Sequence, residues 1–309
     1  MALSIVMLDN VKELHIEPTS LCNAECPMCA RNVYGTMINP YIRLKSLPLE
    51  WFEKNITPEQ IKGLDKIFFC GNVGDPASAP ALLDIIEYFK KHNKDLVIGV
   101  NTNGGLKTAT WWSKLGHLLD GDLDYCVFSI DGLEDTNHLY RRNVRWQKVM
   151  ENTNAFISTG ASAHWDMLVF EHNKHQVDEA KAEAKEMGFT WFRSKETDRW
   201  DTYTKNLGLM PAEDYQPPSY GRNIVCEKDR DSSVFLDYTG KYWPCCHMAE
   251  AYLNKVGLEL HSDIRDYDNI ELFKEYKARF VTETPFYICR RACGTKGKRS
   301  QWKSEEQLR

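Results

Sequence analysis

The sequence predicts an α/β protein in which six consecutive strand–loop–helix units form an open barrel and a small cysteine-rich region follows. Three observations support this prediction. Short apolar segments alternate with amphipathic ones along most of the chain, as is typical of parallel βαβ units. Polar or glycine-rich stretches follow the apolar segments. After about residue 198 the alternation stops, and prolines and cysteines become frequent.

Six apolar segments have the length and composition of barrel strands. Right-handed crossovers between parallel strands turn the chain in one direction, so six such units curl into a partial (β/α)6, TIM-like barrel. The predicted strands cover residues 14–19, 66–70, 96–100, 125–130, 165–170 and 189–194.

Amphipathic segments between these strands predict the helices. The first helix begins near Ser46, an N-cap residue, with Pro48 in its first turn. Apolar residues recur at helical spacing over residues 81–92. A tryptophan-rich helix follows residue 104, and glycines end the helices over 147–158 and 176–187.

Composition excludes several classes of function. The net charge of −5 argues against a nucleic-acid partner. The first nine residues have no signal-peptide pattern, and no apolar run is long enough to span a membrane. Ten cysteines without an export signal predict metal or cluster ligation instead of a disulfide framework. We therefore expect a cytoplasmic protein that does not enter membranes.

Three cysteines form the centre of the predicted site. Cys22, Cys26 and Cys29 follow the first strand at spacings of four and three residues. A cubane iron–sulfur cluster usually has four cysteine ligands, so three leave one iron open to a substrate. A zinc site with a distant fourth ligand and reduced structural thiols are the alternatives. This triad resembles the signature of the radical S-adenosylmethionine (radical SAM) superfamily, in which the open iron of a [4Fe-4S] cluster binds SAM.

The same resemblance extends to later strand ends. The loop Gly71-Asn-Val-Gly-Asp-Pro76 resembles the family's Gly-Gly-Glu-Pro loop, which holds the SAM amino group, although Asp75 replaces Glu and Asn72 and Val73 separate the glycines. Segments at the third and fourth strand ends resemble the family's Thr-Asn-Gly and Ser-x-Asp segments. The resemblance thus implies cofactor-binding roles for Gly71, Asn72, Gly74, Asp75, Asn101, Asn103, Ser129 and Asp131.

Three further residues complete the predicted SAM site. Met28 occupies the family's bulky position before the last cysteine, near the adenine. Val169, on the fifth strand, is a second adenine neighbour. Arg142 follows the fourth strand and is assigned to the SAM carboxylate through its planar fork, with Arg141 as the alternative.

The second cysteine group resembles the shortened Twitch form of the SPASM extension. Residues 237–240 have the pattern of a hairpin turn that places thiols near its base. Four ligands suffice for an auxiliary [4Fe-4S] cluster, although a zinc ribbon has similar spacing and Cys246 is adjacent to Cys245. We predict residues 1–198 as the barrel and 199–309 as a linker and Twitch/SPASM-like domain. The predicted ligands are Cys226, Cys245, Cys289 and Cys293.

The resemblance implies reductive cleavage of SAM to a 5′-deoxyadenosyl radical, which abstracts hydrogen from a substrate. The auxiliary cluster is expected to accept an electron, and a flavodoxin or ferredoxin-type donor to supply one. We expect a small polar substrate (a sugar, cyclitol or nucleotide), with a peptide or protein side chain as the alternative and a non-catalytic scaffold as the rival class. The candidate catalytic residues are Glu171, His172 and Lys195, and His15, Glu17 and Glu196 are further substrate contacts.

Overall fold

Most of the chain forms one twisted sheet with helices packed on its outer side. We describe a computed structural model, which covers residues 11–196, 209, 224, 226, 232–254, 287–293 and 304–309. The predicted boundary between residues 198 and 199 lies outside these described residues.

Nine strands of the described residues make up the main sheet, in the order β10-β9-β1-β4-β5-β6-β7-β8-β11. The pairs from β9 to β8 are parallel, whereas β10 and β11 pair antiparallel at the two edges. Two short strands, β2 and β3, form a separate hairpin. The strands are β1 Glu13–Ile16, β2 Asn32–Val33, β3 Met37–Ile38, β4 Lys66–Phe69, β5 Val97–Thr102, β6 Tyr125–Ser129, β7 Ala163–Val169, β8 Trp191–Glu196, β9 Ser233–Leu236, β10 Tyr242–Trp243 and β11 Ser304–Gln307.

Helices lie between the successive parallel strands from β1 to β8, and two more lie between β10 and β11 in the chain. They are α1 Leu49–Asn55, α2 Pro58–Lys62, α3 Leu82–His92, α4 Ala109–Leu118, α5 Asn137–Tyr140, α6 Trp146–Ile157, α7 Val177–Met187, α8 Cys246–Asn254 and α9 Tyr287–Cys293, with short 3-10 turns at Pro76–Ser78 and Lys174–Gln176. Among the residues described, no helix combines the length and hydropathy needed to cross a bilayer.

The predicted α/β fold is confirmed, since the six predicted strands correspond to β1 and β4 to β8. Several boundaries differ. The first strand ends at Ile16 because Pro18 has no amide hydrogen to continue the ladder. The sixth strand begins two residues later than predicted and includes Lys195. Pro48, and not Ser46, occupies the N-cap position of α1, while the Ser46 hydroxyl bonds the Thr19 hydroxyl at 2.7 Å.

The alternation of side chains along each strand divides the interior into two layers. In β7, Ala163, Trp165, Met167 and Val169 are buried, while the alternate residues face the opposite side of the sheet. Apolar residues of α3 pack into the layer between the helices and the sheet. The other face forms the inside of the open barrel, where functional groups collect at the carboxyl ends of the strands.

Candidate active site

A cavity of about 180 Å³ lies at the carboxyl ends of β4, β5, β6 and β7. Its wall combines the three cysteines that follow β1, the loop over residues 71–75, and the ends of β5 and β6. Arg141, directly after α5, and Leu168, on β7, complete it. Parallel strands bring their carboxyl ends to one edge, so residues far apart in sequence meet here.

The cysteine loop faces the cavity with all three thiols. The backbone amide of Ala24 donates to Cys22 Sγ at 3.3 Å, and the charge of the Arg141 guanidinium acts to lower the pKa of Cys26. Burial raises the pKa of Cys26 to about 12 and that of Cys22 above its usual range. Free thiolates are therefore disfavoured in this loop, and binding to iron would displace their protons.

Glu17 holds the loop over residues 71–75, here called the glycine loop, in place. Its Oε1 atom accepts hydrogen bonds from the backbone amides of Val73 at 2.7 Å and Gly74 at 3.0 Å. At Gly74 a Cβ atom would lie 1.7 Å from the Thr19 carbonyl oxygen, so only glycine fits. Through these two hydrogen bonds Glu17 shapes the cavity wall, and its prediction as a substrate contact is not tested.

The buried Glu17 carboxyl makes stability dependent on pH. Burial raises its pKa from 4.5 to about 8, so the folded state binds this proton more tightly than the unfolded state does. The contribution is fully present below pH 4.5 and is lost as pH rises through about 8. We expect the free energy of unfolding to fall over this range, by at most about 1.4 kcal/mol per pH unit from this group.

Glu17→Gln tests this expectation, because glutamine keeps an acceptor oxygen and does not titrate. The variant should show a shallower fall in the free energy of unfolding between about pH 5 and about pH 8, measured by urea denaturation. Asp237 also acts on the Glu17 carboxyl and remains in both proteins. Equal slopes in the two proteins would contradict the assignment.

Asp75 ties the glycine loop to the end of β5. Its Oδ1 accepts from the Thr102 hydroxyl and the Ala77 backbone amide, both at 2.9 Å. Its Oδ2 accepts from the backbone amide of Asn103 at 2.7 Å. Burial raises the pKa of this carboxyl, against the lowering effect of these hydrogen bonds. Both oxygens are engaged within the protein, so Asp75 positions the wall of the cavity.

The residues predicted at the ends of β5 and β6 have different surroundings. Asn101 Oδ1 is buried at the cavity and accepts no hydrogen bond among the described residues. The side-chain amide of Asn103 donates to Cys22 Sγ at 3.6 Å and to Asn23 Oδ1 at 3.0 Å, so this side chain supports the cysteine loop. Ser129 lines the cavity. Asp131 is fully buried and accepts from the Leu168 amide at 2.7 Å.

Arg141, and not Arg142, lines the cavity. Asp131 Oδ2 accepts from Arg141 Nε at 2.6 Å. Burial acts to lower the pKa of Arg141, but the Asp131 carboxylate raises it above its ordinary value, so the guanidinium stays charged. The Arg142 guanidinium instead donates to the Tyr34 carbonyl at 3.5 Å, on the outer side of the cysteine loop. The alternative left open by the sequence is thus the one that the geometry favours.

The two predicted adenine neighbours do not line the cavity. Met28 packs against the main core. Val169 is buried on the helix side of β7, and its neighbour Leu168 lines the cavity. Because side chains alternate along a strand, Val169 and Leu168 lie on opposite faces of β7. The assignment of Met28 and Val169 to the adenine stays a prediction.

The three predicted catalytic residues are not brought together at the cavity. Glu171 forms an exposed ion pair with Lys174 at 2.7 Å, and the His172 ring stacks on Phe170 with centroids 5.2 Å apart. Lys195 lies within β8, close enough to act electrostatically on Asp166. Their assignment as catalytic residues stays a prediction.

The four cysteines predicted for the auxiliary cluster share one neighbourhood. The thiols of Cys226 and Cys293 act electrostatically on Cys289, and Cys289 and Cys293 act on Cys245. Burial raises the pKa of Cys289 to about 12. Cys246 lies beside this group as well: its thiol acts electrostatically on Cys245 and on Cys70, and both Cys245 and Cys246 pack against the apolar cluster that contains Cys289. The choice of Cys245 over Cys246 as a ligand stays a prediction.

Within the described residues, no three His, Cys, Asp or Glu side chains are close enough to hold a single metal ion. The choice between a zinc ion and a cubane at the rear cysteines stays a prediction.

The fold and the site together define a cluster-binding (β/α)6 barrel enzyme. The family model described as the radical SAM superfamily matches residues 16–184. The chain belongs to the radical SAM superfamily and is a radical SAM enzyme, so the scaffold alternative is set aside. A [4Fe-4S] cluster and SAM are the cofactors of this family, and the thiols, the free Asn101 oxygen and the glycine loop fit that pair.

One curated relative and several solved structures resemble the chain. A tungsten-containing aldehyde ferredoxin oxidoreductase cofactor-modifying protein of Pyrococcus furiosus is 29% identical over 124 residues, which is 40% of this chain and 32% of the relative. The match therefore spans about a third of that relative's length. Streptococcus suis SuiB bound to S-adenosylmethionine has a TM-score of 0.58 at 12% identity, over 90% of this chain and 73% of SuiB. Native anSMEcpe with bound AdoMet has a TM-score of 0.53 at 18% identity, over 76% of this chain and 74% of anSMEcpe.

Proposed function

We propose that the enzyme holds a [4Fe-4S] cluster with Cys22, Cys26 and Cys29, binds SAM in the adjacent cavity, and modifies a side chain of a peptide or protein. The arrangement of three cysteines around one cavity, with Cys26 buried and Cys22 and Cys29 partly exposed, is the observation that carries this proposal. When bound, the cluster and SAM supply a 5′-deoxyadenosyl radical that removes a hydrogen atom from the substrate.

Different residues of the cavity wall bind different groups of SAM. Arg141 offers a planar, charged fork to a carboxylate, and Asp131 fixes its orientation. Asn101 Oδ1 and the backbone carbonyls of the glycine loop accept hydrogen bonds from an ammonium group. Leu168 supplies an apolar surface for the adenine. Arg141 and the glycine loop are held by bonds to the protein before a ligand arrives.

The cavity also protects reactive species from water. Cys26 and Asp75 are buried in the cavity wall, to which the loop over residues 71–75 also belongs. A low-dielectric, dry site strengthens the charge–charge contacts of Arg141 and prevents side reactions.

A peptide or protein substrate has the stronger support. SuiB bound to its precursor peptide SuiA resembles the chain with a TM-score of 0.56 at 13% identity, and anSMEcpe with the Cp18Cys peptide with 0.54 at 16%. The likeness extends over 91% and 92% of this chain. Neither of these two structures is described with a sugar, cyclitol or nucleotide substrate.

A small polar substrate remains a second candidate for one reason. The relative from Pyrococcus furiosus is named as a protein that modifies a cofactor. Inside the barrel, Asp166 forms a two-point ion pair with Arg193 at 2.6 and 2.7 Å, and Lys195 lies nearby. These charges give the inner face of β7 and β8 polar groups for either kind of substrate.

We further propose that Cys226, Cys245, Cys289 and Cys293 hold an auxiliary [4Fe-4S] cluster. A cluster with a full cysteine shell supplies an electron acceptor instead of a substrate ligand. Apolar residues surround these thiols, among them Phe235, Trp243 and Met248. The arrangement supports a net oxidation of the substrate, with a flavodoxin or ferredoxin-type protein as the electron donor to the enzyme.

Deuterium transfer distinguishes the two substrate classes. The enzyme, reconstituted without oxygen and reduced with dithionite, would be incubated with SAM and perdeuterated peptides, and separately with perdeuterated sugars, cyclitols and nucleotides. We expect deuterium in 5′-deoxyadenosine only with the peptides. Deuterium transfer from the small molecules alone would contradict a peptide or protein substrate.

A further inference from the structure

An apolar surface lies outside the cavity, on the segment that follows the last cysteine of the triad. The hairpin of β2 and β3 and the residues after it expose six large apolar side chains, with Met37 58%, Tyr41 62% and Leu44 57% exposed. Such a dense group of exposed apolar residues usually marks an interaction site. We call this surface the hairpin patch: Val33, Tyr34, Met37, Ile38, Tyr41 and Leu44.

The hairpin patch rests directly on the cysteine loop. The Asn32 amide donates to the Cys29 carbonyl at 2.9 Å. At Gly35 a Cβ atom would lie 2.6 Å from the Glu25 carbonyl oxygen, so the turn of the hairpin touches the loop backbone. A protein bound to this patch would therefore lie a few residues along the chain from Cys26 and Cys29, on residues that do not line the cavity.

Basic residues outnumber acidic ones in the segment that forms the hairpin patch. No Asp or Glu occurs between Glu25 and Glu50, although the chain as a whole carries a net charge of −5. The exposed Glu25 borders the turn of the hairpin at Gly35. Arg43 and Lys45 are exposed within the segment, and the Arg142 guanidinium reaches it through the Tyr34 carbonyl. An apolar centre with a positive rim fits an acidic protein and attracts it over a distance.

We propose that the hairpin patch is the docking surface for an acidic one-electron donor protein of the flavodoxin or ferredoxin type. This inference rests on the proposed function, because it requires a cluster on Cys22, Cys26 and Cys29 that accepts electrons. SAM and substrate occupy the cavity side of that loop, so the donor approaches from the outer side. Electron-transfer encounters bury small areas, on the order of 1,200 Å² or less, which a hairpin of this size can supply.

Two variants test the docking surface. Met37→Asp combined with Leu44→Asp places negative charge in the apolar centre, and Arg43→Glu reverses a rim charge. The dissociation constant for an oxidised bacterial flavodoxin would be measured by calorimetry at low and high salt. SAM cleavage would be measured with flavodoxin and its NADPH-dependent reductase, and separately with dithionite. Leu123→Asp is the matched control, since Leu123 is 71% exposed and precedes β6 at the opposite end of the sheet.

We expect both hairpin variants to bind flavodoxin at least about tenfold more weakly at low salt. Flavodoxin-driven cleavage should fall with binding, and dithionite-driven cleavage should be unchanged, because a small reductant needs no docking surface. Arg43→Glu keeps the test valid if the double variant does not fold. Leu123→Asp should match the wild type throughout, and salt should weaken flavodoxin binding only to proteins with an intact patch.

Three results would overturn the docking surface. One is unchanged flavodoxin binding in both hairpin variants. Another is a wild type that cleaves SAM with dithionite but accepts electrons from neither flavodoxin nor ferredoxin. The third is a wild-type protein that is dimeric in solution and hairpin variants that are monomeric but bind the donor unchanged. This result would assign the patch to a second copy of the chain. If the wild type fails to cleave SAM with dithionite, the proposed function itself fails, and flavodoxin binding still reports on the patch.

Discussion

Cys26→Ala is expected to abolish SAM cleavage, whereas Cys289→Ala should spare part of it. Cys26 lies in the cavity wall with Cys22 and Cys29, and its loss would leave two thiols for a cluster that must keep one iron open. Cys289 belongs to the separate group near α9, which shares no wall with the cavity among the described residues. The measurement is 5′-deoxyadenosine formed per enzyme under dithionite, together with iron bound per chain.

Cys126→Ala serves as the control for losing a buried thiol. Cys126 is fully buried in β6 and does not line the cavity, so this variant should bind as much iron as the wild type. Equal residual cleavage in Cys26→Ala and Cys289→Ala would contradict the separation of the two cysteine groups.

Arg141→Ala should weaken SAM binding at least about 100-fold, since it removes a charged fork from the cavity and leaves the buried Asp131 carboxylate without its partner. Arg142→Ala should leave SAM binding unchanged, because its guanidinium contacts the Tyr34 carbonyl on the outer side of the loop. The dissociation constant of SAM, measured by anaerobic equilibrium dialysis, distinguishes the two variants.

Arg141→Lys separates charge from geometry. Lysine keeps a positive charge beside Asp131 but cannot reproduce the planar fork, so this variant should be folded and should bind SAM with intermediate affinity. A larger loss in Arg142→Ala than in Arg141→Ala would return the assignment to the residue first chosen from the sequence.

The order of the elements could be predicted from the sequence because each βα unit is a local pattern. Apolar runs, crossover lengths and glycine-containing loops each extend over at most a few tens of residues, so they can be recognised in the sequence. From them the cysteine loop and the Asn101 segment were predicted at the strand ends where the structure has them. The side-by-side pairing of β9 with β1 was not predictable in this way. That pairing joins segments at opposite ends of the chain, and no periodicity reports it.

The details of the site depended on register, which the sequence specified less well. A shift of one residue along a strand moves a side chain to the opposite face, and this explains why Leu168 and not Val169 lines the cavity. The choice between Arg141 and Arg142 depends on how the turn after α5 presents each side chain to Asp131. Glu17 was recognised as polar near a strand end, but its bonds to the glycine-loop amides require the folded loop.

The central claim is that three cysteines hold a cluster whose remaining iron binds SAM, and electron paramagnetic resonance tests it most directly. The protein would be reconstituted and reduced without oxygen, in the form of Cys289→Ala to limit signals from the rear cysteines, and spectra would be recorded before and after addition of SAM. We predict that SAM changes the spectrum of the reduced cluster. A spectrum that stays the same at saturating SAM would contradict the account.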